Sequence, residues 1–169
     1  MKRKLFFCAL IVALVSCKKN SENKTITENN GNTQTQIEGN ITTQNSTDIH
    51  ILGNIIDLSK FRPEKVQFQY RFIDNSGGRT PGPSDSYLEA VLYFDEKTMD
   101  KIWEIDQTID FNRSDYSKED FNFTWLKEPI SSELKASDTL KSGHPDLVFG
   151  TANGKCWYLK NKILFIKPN

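Results

Sequence analysis

The side chains that could carry out chemistry include a histidine and a carboxylate near the end of the chain. His144 and Asp146 are separated by one proline. A histidine oriented by a carboxylate can act as a general base toward a serine nucleophile, for which Ser84, Ser86 and Ser142 are candidates. The pair is therefore one candidate for the centre of a hydrolase. The alternative is that His144, Pro145 and Asp146 form a turn without a catalytic role, because proline favours turns and the sequence lacks a Gly-x-Ser-x-Gly motif.

A long loop rich in glycine and proline is the second candidate site. Residues 74–86 contain three glycines and two prolines, which no regular element tolerates. Loops of this length without structure of their own are often functional. We interpret the loop either as the rim of a binding face, with an exposed aromatic such as Trp125 or Tyr116 beside it, or as a plain connection. The candidate binding residues are Arg79, Asp85 and Tyr87.

Metal and cofactor chemistry lack the usual sequence signals. The chain has two histidines, His50 and His144, and no closely spaced cysteine pair or phosphate-binding loop. We therefore expect no metal site and no cofactor. Cys156, between a lysine and two aromatic residues, is better interpreted as a small buried side chain than as a reactive thiol.

The first residues have the pattern of an export signal. Three basic residues follow Met1, and residues 5–15 form an apolar stretch of 11 residues. A helix of that length would cover about 16 Å of a hydrocarbon layer about 30 Å thick, so it is too short to span a membrane. A basic start, a short apolar middle and a small residue at the end are typical of a secretory signal peptide, here residues 1–16.

The end of this segment, Leu14-Val15-Ser16-Cys17, resembles the lipobox of bacterial lipoproteins. The resemblance concerns only the N-terminal segment. It implies a diacylglyceryl thioether on Cys17, cleavage before that residue and attachment to a membrane by at least two acyl chains, which hold stably. Lys18, where an aspartate would be expected for inner-membrane retention, resembles the pattern of the outer membrane. We therefore expect a lipid-anchored protein of the bacterial cell envelope, facing the periplasm or the cell surface.

A polar segment follows the cysteine. Between Lys18 and Asp48, 21 of 31 residues are Asn, Thr, Gln, Ser or Gly, and none is aromatic. Such a composition buries too little apolar surface to offset the entropy of ordering. The sequence therefore predicts a lipidated N-terminus with a disordered tether over residues 17–48, and a folded domain over residues 49–169.

The folded part has the patterns of both strands and helices. Residues 65–73 alternate strictly between apolar and polar side chains, which predicts a half-buried strand. Residues 87–94 predict a central strand, residues 95–107 a helix capped by Asp95, and residues 155–167 a hairpin. Pro129 predicts the start of a short helix, residues 147–149 look like a strand, and residues 111–126 fit either type. We predict a single small α+β domain, a mainly antiparallel sheet with one or two helices packed on it.

Charge and composition favour binding over catalysis. The formal net charge is zero and the pI is about 6.7, which argues against a nucleic-acid partner. Loss of residues 1–16 would leave 19 basic and 22 acidic side chains. A small acidic domain without a cofactor motif favours a protein partner, in envelope assembly or as an immunity-like inhibitor. The alternatives are an envelope hydrolase that uses His144 and Asp146, and a lipoprotein that binds a small ligand.

The lipid anchor can be tested by mass. We expect the mature protein to carry a diacylglyceryl adduct on Cys17, and the Cys17→Ala variant to retain its signal and gain no lipid, because the thiolate is the acceptor of the lipid. Intact mass spectrometry of membrane and soluble fractions measures both. A mature wild-type chain without the adduct would contradict the lipobox interpretation.

Overall fold

An antiparallel sheet is the centre of the structure, a computed structural model that describes residues 25–77, 81–109, 121–137, 141–151 and 153–168. The strands are β1 (Ile26–Asn30), β2 (Thr33–Glu38), β3 (Ile41–Ser46), β4 (Lys65–Ile73), β5 (Asp85–Tyr93), β6 (Lys141–Gly143), β7 (Lys155–Tyr158) and β8 (Lys162–Pro168). The helices are α1 (Ile49–Gly53), α2 (Glu96–Asp106), α3 (Ile130–Ala136) and α4 (Pro145–Phe149), with a 3-10 helix at Phe123–Trp125. Within the described residues the strand order is β1-β2-β3-β4-β5-β8-β7-β6.

Every pair of neighbouring strands in this sheet is antiparallel. The chain therefore builds one meander from β1 to β5 and a second from β6 to β8, and the two join where β5 pairs with β8. The predicted α+β domain with a mainly antiparallel sheet is confirmed. The described residues hold four α-helices, more than the one or two expected.

Apolar side chains pack on both faces of the sheet in its C-terminal half. The first face carries Phe68, Ala90 and Phe165 in one row and is covered by α1, α2 and α4. The second face carries Val91 and Leu164 and is covered by α3 and by the segment around the 3-10 helix. The central strands β5 and β8 are buried on both sides, which explains their nearly continuous apolar sequences.

The prediction of a disordered tether is wrong for residues 25–48. This part of the chain forms β1, β2 and β3, an extension of the sheet that we call the polar arm. Two Gly-Asn turns connect its strands, with Gly31 at φ 56° and Gly39 at φ 61°. Glycine takes this conformation without steric cost, and Gly first in a two-residue turn is typical of hairpins. The folded domain therefore begins before residue 49.

The polar arm is ordered by pairing and not by burial. Its backbone groups bond along a ladder that continues into β4, a strand with buried apolar residues on its first face. Each arm strand also contains β-branched Thr or Ile, which favour extended backbone. The composition of residues 25–48 predicts little side-chain burial, but it does not show the backbone hydrogen bonds that the neighbouring strand β4 supplies.

Several local predictions agree with the structure. Residues 65–73 form β4, and Asp95 caps α2 by accepting a hydrogen bond from the Thr98 N–H at 2.8 Å. The C-terminal hairpin and the short helix after Pro129 are also present. Residues 147–149 are an exception, because they belong to α4 and not to a strand. Pro145 opens that helix and Gly150, at φ 64°, ends it.

The structure does not describe residues 1–24. These include the predicted signal peptide, the lipobox-like residues Leu14 to Cys17 and the first part of the predicted tether. Among the residues that are described, no helix has the length and apolar character needed to cross a bilayer.

Candidate functional site

A buried carboxylate lies on the second face of the sheet. Glu89 is in β5 and only 2% exposed. Its Oε1 accepts hydrogen bonds from the backbone N–H of Asn122 at 2.9 Å and from the Tyr87 hydroxyl at 3.3 Å. Its Oε2 accepts one from Trp125 Nε1 at 2.7 Å. These three donors replace the water that the carboxylate loses on folding.

The segment that carries Trp125 is positioned by this carboxylate and by its own apolar residues. Phe121, Phe123 and Leu126 are buried in the second-face core. The Asn122 side chain accepts a hydrogen bond from the Thr124 N–H at 3.1 Å, which starts the 3-10 helix. Trp125 is left half-buried at the border of the core, with its indole N–H directed to Glu89.

Four amide side chains continue from Glu89 across the sheet, and we call them the amide row. Direct pairing places Gln69, Asn45, Gln34 and Asn29 in one line on the second face, on β4, β3, β2 and β1. Gln69 Nε2 donates to Asn45 Oδ1 at 3.0 Å. Asn29 and Gln34 are exposed. The row is thus an uncharged polar strip that ends at the Glu89 and Trp125 pair.

Three members of the amide row, Asn29, Gln34 and Asn45, border the same cleft as Trp125. The cleft has a volume of about 370 Å³, and its lining includes Asn29, Gln34, Asn45, Trp125 and Lys127. Its other walls come from the turn between β1 and β2 and from the end of β3. A cleft of this size lies within the range of about 300–1,000 Å³ that small ligands occupy.

Burial changes the proton affinity of Glu89. Removal of water from the carboxylate raises its pKa above the ordinary 4.5, while the hydrogen bonds from Asn122, Trp125 and Tyr87 oppose that shift. Desolvation has the larger effect. The folded protein therefore binds this proton more tightly than the unfolded chain does.

A second buried carboxylate lies on the first face, at the end of α2. Asp106 is fully buried, and its Oδ1 accepts from the His144 backbone N–H at 3.0 Å and from the Tyr158 hydroxyl at 2.9 Å. His144 Nδ1 lies 2.8 Å from the same oxygen. Burial and these surroundings raise the pKa of the Tyr158 hydroxyl, and burial likewise raises that of the Cys156 thiol, which is 2% exposed. The cluster joins α2, β7 and the start of α4.

The structure does not pair His144 with Asp146, the carboxylate of the hydrolase alternative. His144 is only 9% exposed and contacts Asp106, whereas Asp146 is exposed on the first turn of α4. Nor do Ser142 and Ser86 converge on His144. Ser142 pairs with Trp157, a second-face residue, whereas His144 reaches Asp106 on the first face. Ser86 is on β5, three strands from β6, which is about 14 Å at the usual strand spacing of about 4.8 Å.

Of the three binding candidates of the Gly/Pro loop, the two that the structure describes, Asp85 and Tyr87, contact different partners. Arg79 lies outside the described residues, as does Tyr116. Asp85 is the first residue of β5 and accepts a hydrogen bond from Asn75 Nδ2 at 3.0 Å, which holds the base of the loop. Tyr87, which is 37% exposed, donates a hydrogen bond to Glu89. Trp125, one of the two aromatic residues suggested beside this loop if it formed the rim of a binding face, lines the cleft with the polar arm.

Sequence reasoning missed Glu89, Asp106 and the amide row, although each leaves a signal. Glu89 is a charged residue within an otherwise apolar central strand, and such residues are rarely buried without partners. Asp106 continues the spacing of Met99 and Ile102 along one helix face, and the structure buries Asp106 while it leaves the neighbouring Ile105 38% exposed. Two Gly-Asn dipeptides eight positions apart indicate the strands that carry the row.

Within the described residues, no group of three or more His, Cys, Asp or Glu side chains is arranged to hold a metal ion. Comparisons of the chain with protein-family models, with curated proteins and with solved structures found no match.

The Asp106 cluster predicts unequal effects of two aspartate substitutions. We expect Asp106→Ala to lower the free energy of unfolding by at least about 3 kcal/mol, because it removes the acceptor from three buried donors. Asp146→Ala, the matched control on the surface, should cost less than about 1 kcal/mol. Urea unfolding followed by tryptophan fluorescence measures both. Equal effects of the two substitutions would contradict the structural role of Asp106.

Glu89 predicts a pH dependence of stability. Because its pKa is higher in the folded state, its contribution to stability is greatest at acidic pH and is lost as the pH rises from about 4.5 through the folded-state pKa. Glu89→Gln keeps an acceptor but removes this titration. Stability relative to this variant should therefore fall with rising pH, as measured by urea unfolding between pH 4 and pH 8.

Surface aspartates act in the opposite direction but cancel in this comparison. Hydrogen bonds from Ser59, Ser76 and Thr98 lower the pKa values of three aspartates, Asp57, Asp74 and Asp95. These aspartates are present in the wild type and in the Glu89→Gln variant. The difference in the free energy of unfolding between the two proteins therefore reports the titration of Glu89. If this difference in the free energy of unfolding stays constant or rises with pH, the burial of Glu89 described here is contradicted.

Proposed function

We propose that this chain is a binding protein of the bacterial envelope, lipid-anchored at Cys17, and that its ligand binds the second face of the sheet where the polar arm and Trp125 lie, beyond the part covered by α3. The observation that carries the proposal is the Trp125 ring held by buried Glu89 at the end of the amide row. A tryptophan fixed by a buried hydrogen bond is preorganised for binding, because its ring has little conformational entropy left to lose.

The arrangement of His144 supports binding over hydrolysis. The imidazole is buried against Asp106, whose Oδ1 also accepts from the Tyr158 hydroxyl, and the candidate nucleophiles Ser86 and Ser142 lie on a distant strand and on the other face. A general base must lie within about 2.6–3.2 Å of the proton that it takes. The cluster instead ties α2 to β7 and α4, which stabilises the first face while the second face remains available.

Chain length limits how far the binding face lies from the proposed anchor. Nine residue steps separate Cys17 from Ile26, the first residue of β1. Fully extended, they reach at most about 30 Å. Folding of the polar arm thus shortens the spacer, so that a lipid on Cys17 would hold β1 and the amide row close to the membrane surface. We propose that this membrane is the outer membrane and that the protein faces the periplasm or the cell exterior.

Site-specific crosslinking in the producing bacterium tests the binding role. A photoreactive residue at Gln36, exposed on the second face one row from the amide row, should give adducts with a macromolecular ligand. The same residue at Lys101, exposed on α2 over the first face, is the matched control and should give none. Absence of adducts at Gln36, or equal adducts at both positions, would contradict a binding role for the second face.

A further inference from the structure

The chemistry of the cleft indicates the class of ligand. We infer that the second face binds a saccharide chain, with one sugar ring against Trp125 and its hydroxyl groups on the amide row. This inference rests on the binding role proposed above for the same face. It departs from the protein partner that composition alone favoured.

The amide row suits a ligand with many hydroxyl groups. Each Asn or Gln side chain offers both a donor and an acceptor, and a hydroxyl group needs both. Asn29, Gln34, Asn45 and Gln69 lie on successive strands, so the row extends over about 14 Å at the usual strand spacing of about 4.8 Å. A linear row of repeated donor and acceptor pairs matches a chain of repeated sugar units.

Trp125 supplies an apolar surface at the end of the row. Its indole N–H is used by Glu89 Oε2 at 2.7 Å, so the ring itself is what remains for a ligand. Sugar rings have an apolar C–H face that packs on an aromatic ring, while their hydroxyl groups point outward to polar partners. Glu89 therefore acts as a positioning residue that sets the angle of the ring.

Charge and polarity separate a saccharide from other ligands. Asn29, Gln34, Asn45 and Trp125 are uncharged, and Lys127 supplies a single cation to the cleft lining that they share. Phosphate-rich ligands usually require several cations. The core of a protein interface is usually apolar and aromatic, whereas the amide row has no apolar side chain. A neutral polyhydroxylated ligand fits this surface best.

Binding of defined oligosaccharides tests the inference. The probes are neutral oligosaccharides of glucose, galactose, mannose, xylose and N-acetylglucosamine, titrated into the lipid-free folded chain and followed by calorimetry and tryptophan fluorescence. We expect at least one probe to bind with a Kd below about 1 mM. Trp125→Ala should weaken that binding at least about tenfold, and Gln34→Ala about 3- to 10-fold, because each removes one contact.

Gln44→Ala is the matched control for the amide row. Gln44 precedes Asn45 on the same strand but pairs with Tyr70, so its side chain lies on the first face. Its removal should leave the Kd unchanged. Gln34 is exposed, so its variant should fold as the wild type does and keeps the test valid if Trp125→Ala does not fold.

The results separate the saccharide inference from the binding role. Lack of binding of every probe below about 1 mM would overturn the saccharide inference. Binding that neither Gln34→Ala nor Trp125→Ala weakens would overturn the assignment of the site. Adducts at Gln36 that contain protein and no sugar would also overturn the saccharide inference, yet they would keep the second face as a binding surface. No adduct at Gln36 would instead remove the binding role itself.

Discussion

The Glu89 carboxylate in the middle of an apolar sheet is the constraint on which the second face depends. A buried charge is costly unless donors surround it, and none of its three donors comes from a neighbouring strand across the sheet. They come from Tyr87 two positions earlier and from a segment more than thirty positions later in the chain. Satisfying the charge therefore requires residues 121–126 to fold down on β5, and the same requirement fixes the Trp125 ring.

Each face of the sheet contains a buried carboxylate that accepts several hydrogen bonds, and the two carboxylates have different structural consequences. On the first face, Asp106 collects donors from His144 and Tyr158, and all three groups are covered by packed helices. On the second face, the cover ends at Trp125, and the polar arm beyond it has no helix above it in the described residues. One buried acid stabilises the interior, whereas the other sets the border between a closed core and an open polar surface.

Local patterns in the sequence predicted the elements well, and contacts distant in sequence poorly. Strict alternation in residues 65–73 and the Asp95 cap needed only neighbouring residues, and both were correct. Proximity in sequence made Asp146 the candidate partner of His144 in the hydrolase alternative, but its partner in the structure, Asp106, is 38 positions away. The amide row depends on the register of four strands, which composition does not reveal; two Gly-Asn turns set the register of β1, β2 and β3, and pairing with β4 adds the fourth.

The order of the polar arm changes the physical relation between anchor and domain. A disordered spacer of 31 residues would reach up to about 100 Å when fully extended and would let the domain turn freely. A domain that begins at β1 leaves nine residue steps after Cys17, and the edge strand nearest the anchor is the one that carries the exposed end of the amide row. If Cys17 carries lipid, this geometry restricts the second face to ligands that extend to the membrane surface, and a polysaccharide chain can do so.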